Sequence, residues 1–269
     1  MPELPEVETV RQTLRSYVLD KEIESVEVLY PKIIEGDVEA FKQMLIHKRI
    51  REIERYGKYL IFILDDCAFL SHLRMEGKYF VDSSDTPYDR HTHVLFHFSD
   101  HSDLRYHDTR KFGRISLCSL DYMSDPHLSK LGDEPFTVDE EALYRKFHKS
   151  HLSIKQALLD QSFMCGIGNI YANEICFRMG IHPHSRVDRL SKKRVKQLKE
   201  VSILILNKAI EKGGSTIHSF SSDGIDGMFQ NDFNVYNKEY CPICGNRITK
   251  EMYKGRGTYY CKKCQDRRY

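Results

Sequence analysis

Four cysteines stand near the end of the chain as two Cys-x-x-Cys pairs, Cys241-Pro242-Ile243-Cys244 and Cys261-Lys262-Lys263-Cys264, separated by sixteen residues. Each pair can bring two thiolates to one metal ion, and the intervening segment can return as a hairpin. The spacing therefore reads as a closed tetrahedral site for one structural Zn²⁺, with no open position for chemistry. A redox or disulfide role for the same thiols stays open at this point. Residues 237–269 carry nine Lys or Arg against three Asp or Glu. A small basic ribbon pinned by metal suits the gripping of phosphates, although such a composition also serves a solvated face or a protein contact.

The second reactive element is the start of the chain, Met1-Pro2-Glu3-Leu4-Pro5-Glu6-Val7-Glu8. Removal of Met1 ahead of a small residue would leave the Pro2 nitrogen as a secondary amine at a chain end. An α-amino group titrates near ~7.7–8.0, far below lysine, so much of it is unprotonated at neutral pH. Such an amine can attack an electrophilic carbon and form an imine. Glu3 beside it and Glu6 one turn further could donate or accept protons. Taken alone, the same residues read first as a helix start, where Pro and Glu are favoured.

The elements that would position these groups divide the chain in two. A chain of 269 residues can bury a real core. Net charge is only +2 although 41 Lys or Arg and 39 Asp or Glu are present, so basic character is regional. No apolar run is long enough to span a bilayer, and the first residues lack the basic start and apolar centre of a signal peptide. Cys67, Cys118, Cys165 and Cys176 are scattered among apolar neighbours and read as buried thiols, consistent with a reducing cytoplasm. After one short helix with Val7, Val10, Leu14 and Val18 on one face, alternating runs at Ser25–Tyr30, Tyr59–Leu64, His93–Phe98 and Arg114–Leu117 predict a β-sandwich or barrel. Residues 120–138 read as a linker. Helical periodicity follows at Ala142–His148, Ile154–Gln161, Asn169–Met179 and Ser191–Lys212, the last stopping at Gly213-Gly214. Residues 214–235, rich in Gly, Ser and Asp, read as a mobile loop. The expected fold class is α+β and multidomain: a β-sandwich with a leading helix at 1–119, the linker, a helical part at 139–235, and a four-cysteine zinc ribbon at 236–269.

Three separated motifs occur in this chain in the order seen in one family: Met1 to Thr9, Gly166-Ile167-Gly168-Asn169-Ile170-Tyr171 with Glu174, and the four-cysteine ribbon. The chain resembles the bacterial formamidopyrimidine-DNA glycosylases over essentially its full length. That resemblance implies a base-excision repair enzyme for 8-oxoguanine and ring-opened purines, with damaged duplex DNA as partner, one structural Zn²⁺, no membrane and a monomeric, cytoplasmic protein. It implies Pro2 as the nucleophile at the sugar C1′, Glu3 as the acid that helps open the sugar, Lys58 at phosphate in support of β-elimination, and Arg256 as the phosphate clamp of δ-elimination. Met75 and Phe112 would enter the base stack, and Arg110 would hydrogen-bond the cytosine left unpaired. Such groups are needed because a base inside a duplex must be flipped out and its place filled. His72, His91 and Asn169 would lie near DNA, with His151 as a weaker contact. Asn169 would begin a helix whose N–H groups favour phosphate. Lys155 matches a family lysine, with no role assigned. Helix–two-turns–helix architecture is implied for the helical part.

Two departures from the family pattern stand out. Asn237-Lys238 replaces a usual Gly-Arg, and Asn tolerates the left-handed backbone that Gly supplies. The loop Ile217 to Gly224, which in the family covers the flipped base, is atypical, so lesion preference is less determined than reaction type. Rival readings are an endonuclease VIII-like enzyme for oxidised pyrimidines, with the same Pro2 chemistry, and a DNA-binding module without chemistry.

Overall fold

A computed structural model describes residues 1–215 and 228–265. These residues fall into two compact units, one formed by Met1–Ser129 joined by Ser215, the other by Lys130–Gly214 joined by the chain from Met228 onward. The expected base-covering loop at 217–224 lies outside the described residues. So does most of the segment read as mobile.

The first unit opens with α1 (Leu4–Val18), longer than the short helix expected. Val7, Val10, Leu14 and Val18 are buried along one face, as their spacing predicts. Two sheets then face each other. One has four strands in the order β1 (Ile23–Val28), β7 (Thr92–Phe98), β8 (Ser102–His107), β6 (Lys78–Ser83). The other has five, β2 (Ile34–Glu35), β9 (Arg114–Cys118), β5 (Ala68–His72), β4 (Tyr59–Leu64), β3 (Ile50–Tyr56). Nearly all pairs are antiparallel; β2 joins β9 in parallel. Between the sheets Phe62 stacks on Phe69 at 4.4 Å and Phe69 on Phe96 at 5.3 Å, so the aromatic core bridges β4, β5 and β7. Helix α2 (Val38–Leu45) covers this core with Phe41. It escaped the sequence reading because only Phe41 and Leu45 of its eight residues are buried.

The second unit contains α3 (Glu140–His148), α4 (Ile154–Leu159), α5 (Asn169–Arg178) and α6 (Lys192–Glu211). Ser153 caps α4 through a reciprocal bond with Gln156, and Ser191 caps α6 by accepting the Arg194 N–H. Gly213 and Gly214 end α6 with φ of +71° and +78°. Residues 228–235, expected within a loose loop, form a short helical turn at Phe229–Asp232, and Phe229 and Val235 are buried. Two apolar anchors among polar residues account for the difference. The ribbon follows as the hairpin β10 (Thr249–Tyr253) and β11 (Arg256–Tyr260). Its turn places Lys254 at φ +48° and Gly255 at +75°, the double left-handed geometry of the tightest hairpins. The helices and the ribbon share one unit. Among the described residues no helix is long and apolar enough to cross a membrane.

Of the four remaining cysteines, Cys67, Cys165 and Cys176 are buried and Cys118 is half-buried. Burial pushes the Cys176 and Cys118 thiols up to about 12, so they are inert at neutral pH.

Candidate active site

In the first unit the chain start lies against its own carboxylates. Pro2 and Glu3 are buried, and Glu3 is the N-cap of α1. Glu6, 2% exposed, accepts the Glu3 N–H at 2.9 Å through Oε2. Its Oε1 accepts the Ser215 N–H and hydroxyl, each at 2.9 Å. Glu6 therefore fixes the first turn of the helix and the chain at Ser215 together. Burial pushes the terminal amine of Met1 below its ordinary value, against the carboxylates of Glu3, Glu6 and Glu76, while Lys58 adds to the lowering.

Lys58, 6% exposed, follows Gly57 in the turn between β3 and β4. Gly57 has φ +58°. The turn is tied to α1: Arg55 donates to Glu8 Oε2 at 3.0 Å and to the Gly57 carbonyl at 3.1 Å. Burial alone would push the Glu8 carboxyl up, but hydrogen bonds from Arg11 and Arg55 outweigh it and hold the group below its ordinary value. A salt bridge between largely buried partners therefore places the lysine relative to the chain start.

His72 ends β5. Its Nδ1 accepts the Arg74 N–H at 3.0 Å, which puts the ring proton on Nε2. Burial, reinforced by Arg74 and Lys58, brings its pKa down to about 3, so the imidazole is a neutral donor throughout the physiological range. Arg74 turns the chain at φ +53°, and Met75 behind it is half-buried. Phe112 is 48% exposed, with the Arg110 guanidinium over its ring at 4.7 Å. His91 is adjacent to this loop through its carbonyl, which accepts the Asp108 N–H at 2.9 Å. Met75, Arg110 and Phe112 thus all lie on loops following sheet strands. Glu6 and Asp108 act by accepting backbone N–H groups, a role without a signal in the sequence, although Asp108 stands two residues before Arg110 in a stretch that ends at Gly113.

In the second unit Arg256 is exposed at the start of β11. Lys155, only 1% exposed, donates to the Gly257 carbonyl at 2.8 Å and the Thr258 hydroxyl at 2.6 Å. Asn169 donates to the same carbonyl at 3.2 Å, so one of its donors is used within the protein. Asn173 accepts the Tyr259 N–H at 3.1 Å. Three polar side chains from α4 and α5 therefore hold consecutive residues of the strand that presents Arg256. Glu174, 2% exposed, accepts the N–H groups of Asn234, Val235 and Tyr236 at 2.9–3.0 Å and fixes the approach to the ribbon. Asn237 has φ +55°, the left-handed position its place in the motif predicts. His151 is 80% exposed at its side chain and pairs with Asp188, which Arg186 also grips.

The four ribbon thiols lie within 4.8 Å of one another. Cys241 and Cys264 are 3.8 Å apart at sulfur, Cys244 and Cys261 3.5 Å. A tetrahedron with Zn–S bonds of ~2.3 Å has edges of about 3.8 Å, whereas a disulfide needs ~2.05 Å. The cage fits one structural zinc, and the four thiols form no disulfide. Zinc supplies the ribbon with the fixed geometry that its few buried residues alone would not.

Comparison with known proteins agrees with this arrangement. Residues 1–115 match the formamidopyrimidine-DNA glycosylase N-terminal domain, 131–221 the formamidopyrimidine-DNA glycosylase H2TH domain, and 238–267 a zinc finger found in FPG and IleRS. The formamidopyrimidine-DNA glycosylase of Bacillus licheniformis is 46% identical, covering 98% of this chain and 99% of its own. That of an Exiguobacterium species is also 46% identical, over 99% and 100%. Among solved structures, Lactococcus lactis Fpg in complex with an abasic-site-containing DNA is 41% identical with a TM-score of 0.91, covering 98% of this chain and 99% of that one. The same protein bound to a DNA containing N7-benzyl-Fapy-dG gives 0.92 at the same identity and coverage. In sequence, domain content and fold, the chain belongs to the formamidopyrimidine-DNA glycosylase family.

Proposed function

We infer that this protein is a DNA base-excision repair enzyme, a glycosylase and abasic-site lyase that removes 8-oxoguanine and formamidopyrimidines from duplex DNA. The observation that carries the mechanism is the setting of the chain start: Pro2 and Glu3 are buried at the first turn of α1, where Glu6 accepts the Glu3 N–H at 2.9 Å. Once Met1 is removed, the Pro2 nitrogen bonds to C1′ of the lesion sugar as the bond from C1′ to the base breaks. Glu3 supplies the proton that opens the sugar, leaving an iminium link between Pro2 and C1′. Loss of a C2′ proton then expels the 3′ phosphate, and a second elimination expels the 5′ phosphate. Lys58 and Arg256 stand at these phosphates, where a cation stabilises the leaving charge. With Met1 attached the Pro2 nitrogen is a tertiary amide, and this chemistry stops at binding.

Met75 and Phe112 fill the space of the extruded base, and Arg110 meets the cytosine opposite. His72, His91, Asn169 and, at the periphery, His151 contact the backbone. The domain assignment follows these roles, with a catalytic sandwich at 1–119, a linker at 120–138, a helical DNA-binding part at 139–235 and the ribbon at 236–269. The protein works as a cytoplasmic monomer, associated with the nucleoid during repair.

Borohydride trapping tests the reading, using a duplex with one 8-oxoguanine opposite cytosine and protein whose N-terminus has been checked by mass. A covalent adduct mapping to Pro2 is expected. Absence of an adduct from Met1-free, zinc-loaded protein would remove the oxidised-purine assignment, and trapping only on oxidised pyrimidines would favour the endonuclease VIII-like reading. No adduct with any lesion or with an abasic site would leave a binding protein without this chemistry.

A further inference from the structure

Asp108 follows β8 and is completely buried. Its Oδ1 accepts the Arg110 N–H at 2.9 Å, and its Oδ2 accepts the N–H groups of Phe112 at 2.9 Å and Gly113 at 2.8 Å. Its own N–H is held by the His91 carbonyl. One carboxylate thus collects three backbone donors from a loop of only six residues, and hydrogen bonds to an ionised acceptor are about twice as strong as neutral ones. The loop needs such a hold, because Lys111 turns it at φ +58°, a left-handed conformation that costs a side-chain-bearing residue energy.

Tyr106 lies beneath this loop, also fully buried, its hydroxyl 3.4 Å from Asp108 Oδ2 and its ring edge-on to Tyr79 at 5.2 Å. A Cβ on Gly113 would lie 1.6 Å from that hydroxyl, and a Cβ on Gly77 2.5 Å from it. The same hydroxyl therefore closes against the ends of both loops that carry the wedges, Met75 on one and Phe112 on the other. This is a backbone template, shaped before any ligand is present.

We propose that Asp108, seated on Tyr106, is the positioning residue that sets the Arg110–Phe112 loop and so determines discrimination of the base opposite the lesion. The proposal rests on the reading of Arg110 as the group that meets that base. Pre-setting the loop removes the ordering cost that a free loop would incur on binding. An amide cannot replace the carboxylate. With its oxygen at the Oδ2 place, an Asn would point its NH₂ at the Arg110 N–H; reversed, it would meet the donors of Phe112 and Gly113.

The test uses full-length, zinc-loaded protein and compares D108N, R110A and the double variant. The readouts are kcat/KM for 8-oxoguanine opposite cytosine and opposite adenine, and strand cleavage of a single-stranded abasic oligonucleotide, which has no opposite base to read. D108N is expected to lower the cytosine-over-adenine preference by roughly tenfold, the effect of misplacing one or two buried hydrogen bonds. Single-strand cleavage should change by less than about twofold, and the double variant should be no worse than R110A, since residues acting through one another are not additive. If R110A loses the preference and D108N keeps it, or if the two effects multiply, the positioning role is wrong while Arg110 keeps its part. If R110A itself keeps the preference, the reading of Arg110 fails and takes the proposal with it. Should D108N fail to fold, amide exchange in the unmodified free protein decides. Slow exchange at Arg110, Phe112 and Gly113 relative to Thr109 is expected, and fast exchange at all three would overturn the template.

Discussion

The loop after Asp108 and the hairpin that starts β11 each present an arginine to solvent, Arg110 in one and Arg256 in the other. They are held in contrasting ways. In the loop the anchor is an anion and the anchored groups are N–H donors from the same short stretch of chain. In the hairpin the anchor is a cation, Lys155, and the anchored groups are a carbonyl and a hydroxyl about a hundred residues away. The loop is also backed by the Phe-rich core of a nine-stranded sandwich. The hairpin has a small core of six buried residues, two of them zinc ligands. Local bonding on a large core makes the first device self-sufficient; the second depends on metal and on partners from other elements.

Removing zinc should therefore give the largest effect and confine it to one side of this contrast. Chelation, verified by zinc content, is expected to weaken binding of a damaged duplex by roughly two orders of magnitude or more, because a ribbon this small does not hold its shape without metal. Slow amide exchange at Phe112 and Gly113 should survive the same treatment. Undiminished binding after confirmed metal loss, or collapse of the Asp108 loop along with the ribbon, would erase the distinction. Lys155→Met comes next. It keeps the length and the apolar stem but removes the charged donor to the Thr258 hydroxyl and to the Gly257 carbonyl, which retains only Asn169, a cost of about 1.5–3 kcal/mol for a charged hydrogen bond. Zinc content should stay stoichiometric while the second elimination, assigned to Arg256, slows by about tenfold or more relative to the first. Abasic-site cleavage products on a denaturing gel separate the two steps, and an unchanged product ratio would deny Lys155 this role. Asn169→Ala removes a weaker, neutral donor to the same carbonyl and should shift the ratio the same way by only a few-fold, in keeping with ~0.5–1.5 kcal/mol.

Legibility in the sequence follows the same division. Cysteine spacing is a local pattern dictated by tetrahedral geometry, so the ribbon and its four ligands could be read directly. Runs of apolar residues located β1, β4, β7, β9 and the four later helices, although β7 and α5 are buried almost continuously rather than on one face. β5 is not among these runs, and its five residues are all buried in the centre of its sheet. Lys155 is the sharper case. A lysine near a helix start reads as solvated charge, and its burial is decided by a hairpin far along the chain. Glu174 and Glu6 hide for the same reason, since each is a carboxylate whose partners are backbone N–H groups elsewhere. What the sequence conceals here is long-range polar pairing, and in this protein such pairing holds the candidate site together.

The smallest effect sharpens the contrast between two buried bases. Lys155 stays in place by donating to oxygen acceptors, whereas His72 is kept neutral by burial and by the cations Arg74 and Lys58. Its folded pKa, about 3, lies below the ordinary ~6.5, so between these values the unfolded chain takes up a proton that the folded one refuses. The sign is fixed: the contribution of His72 to stability is intact above about pH 6.5 and declines as pH falls toward 3. Denaturant unfolding of unmodified and His72→Gln protein should show a gap that narrows, or reverses, on going from pH 7.5 to 4.5, by on the order of 1–3 kcal/mol. His72 should also add nothing to the pH dependence of DNA binding above pH 6, since a neutral Nε2–H donor does not titrate there. A His72→Gln gap that widens on acidification would mean that the imidazole is charged in the folded protein, a form in which Nδ1 cannot accept the Arg74 N–H and the turn loses that bond.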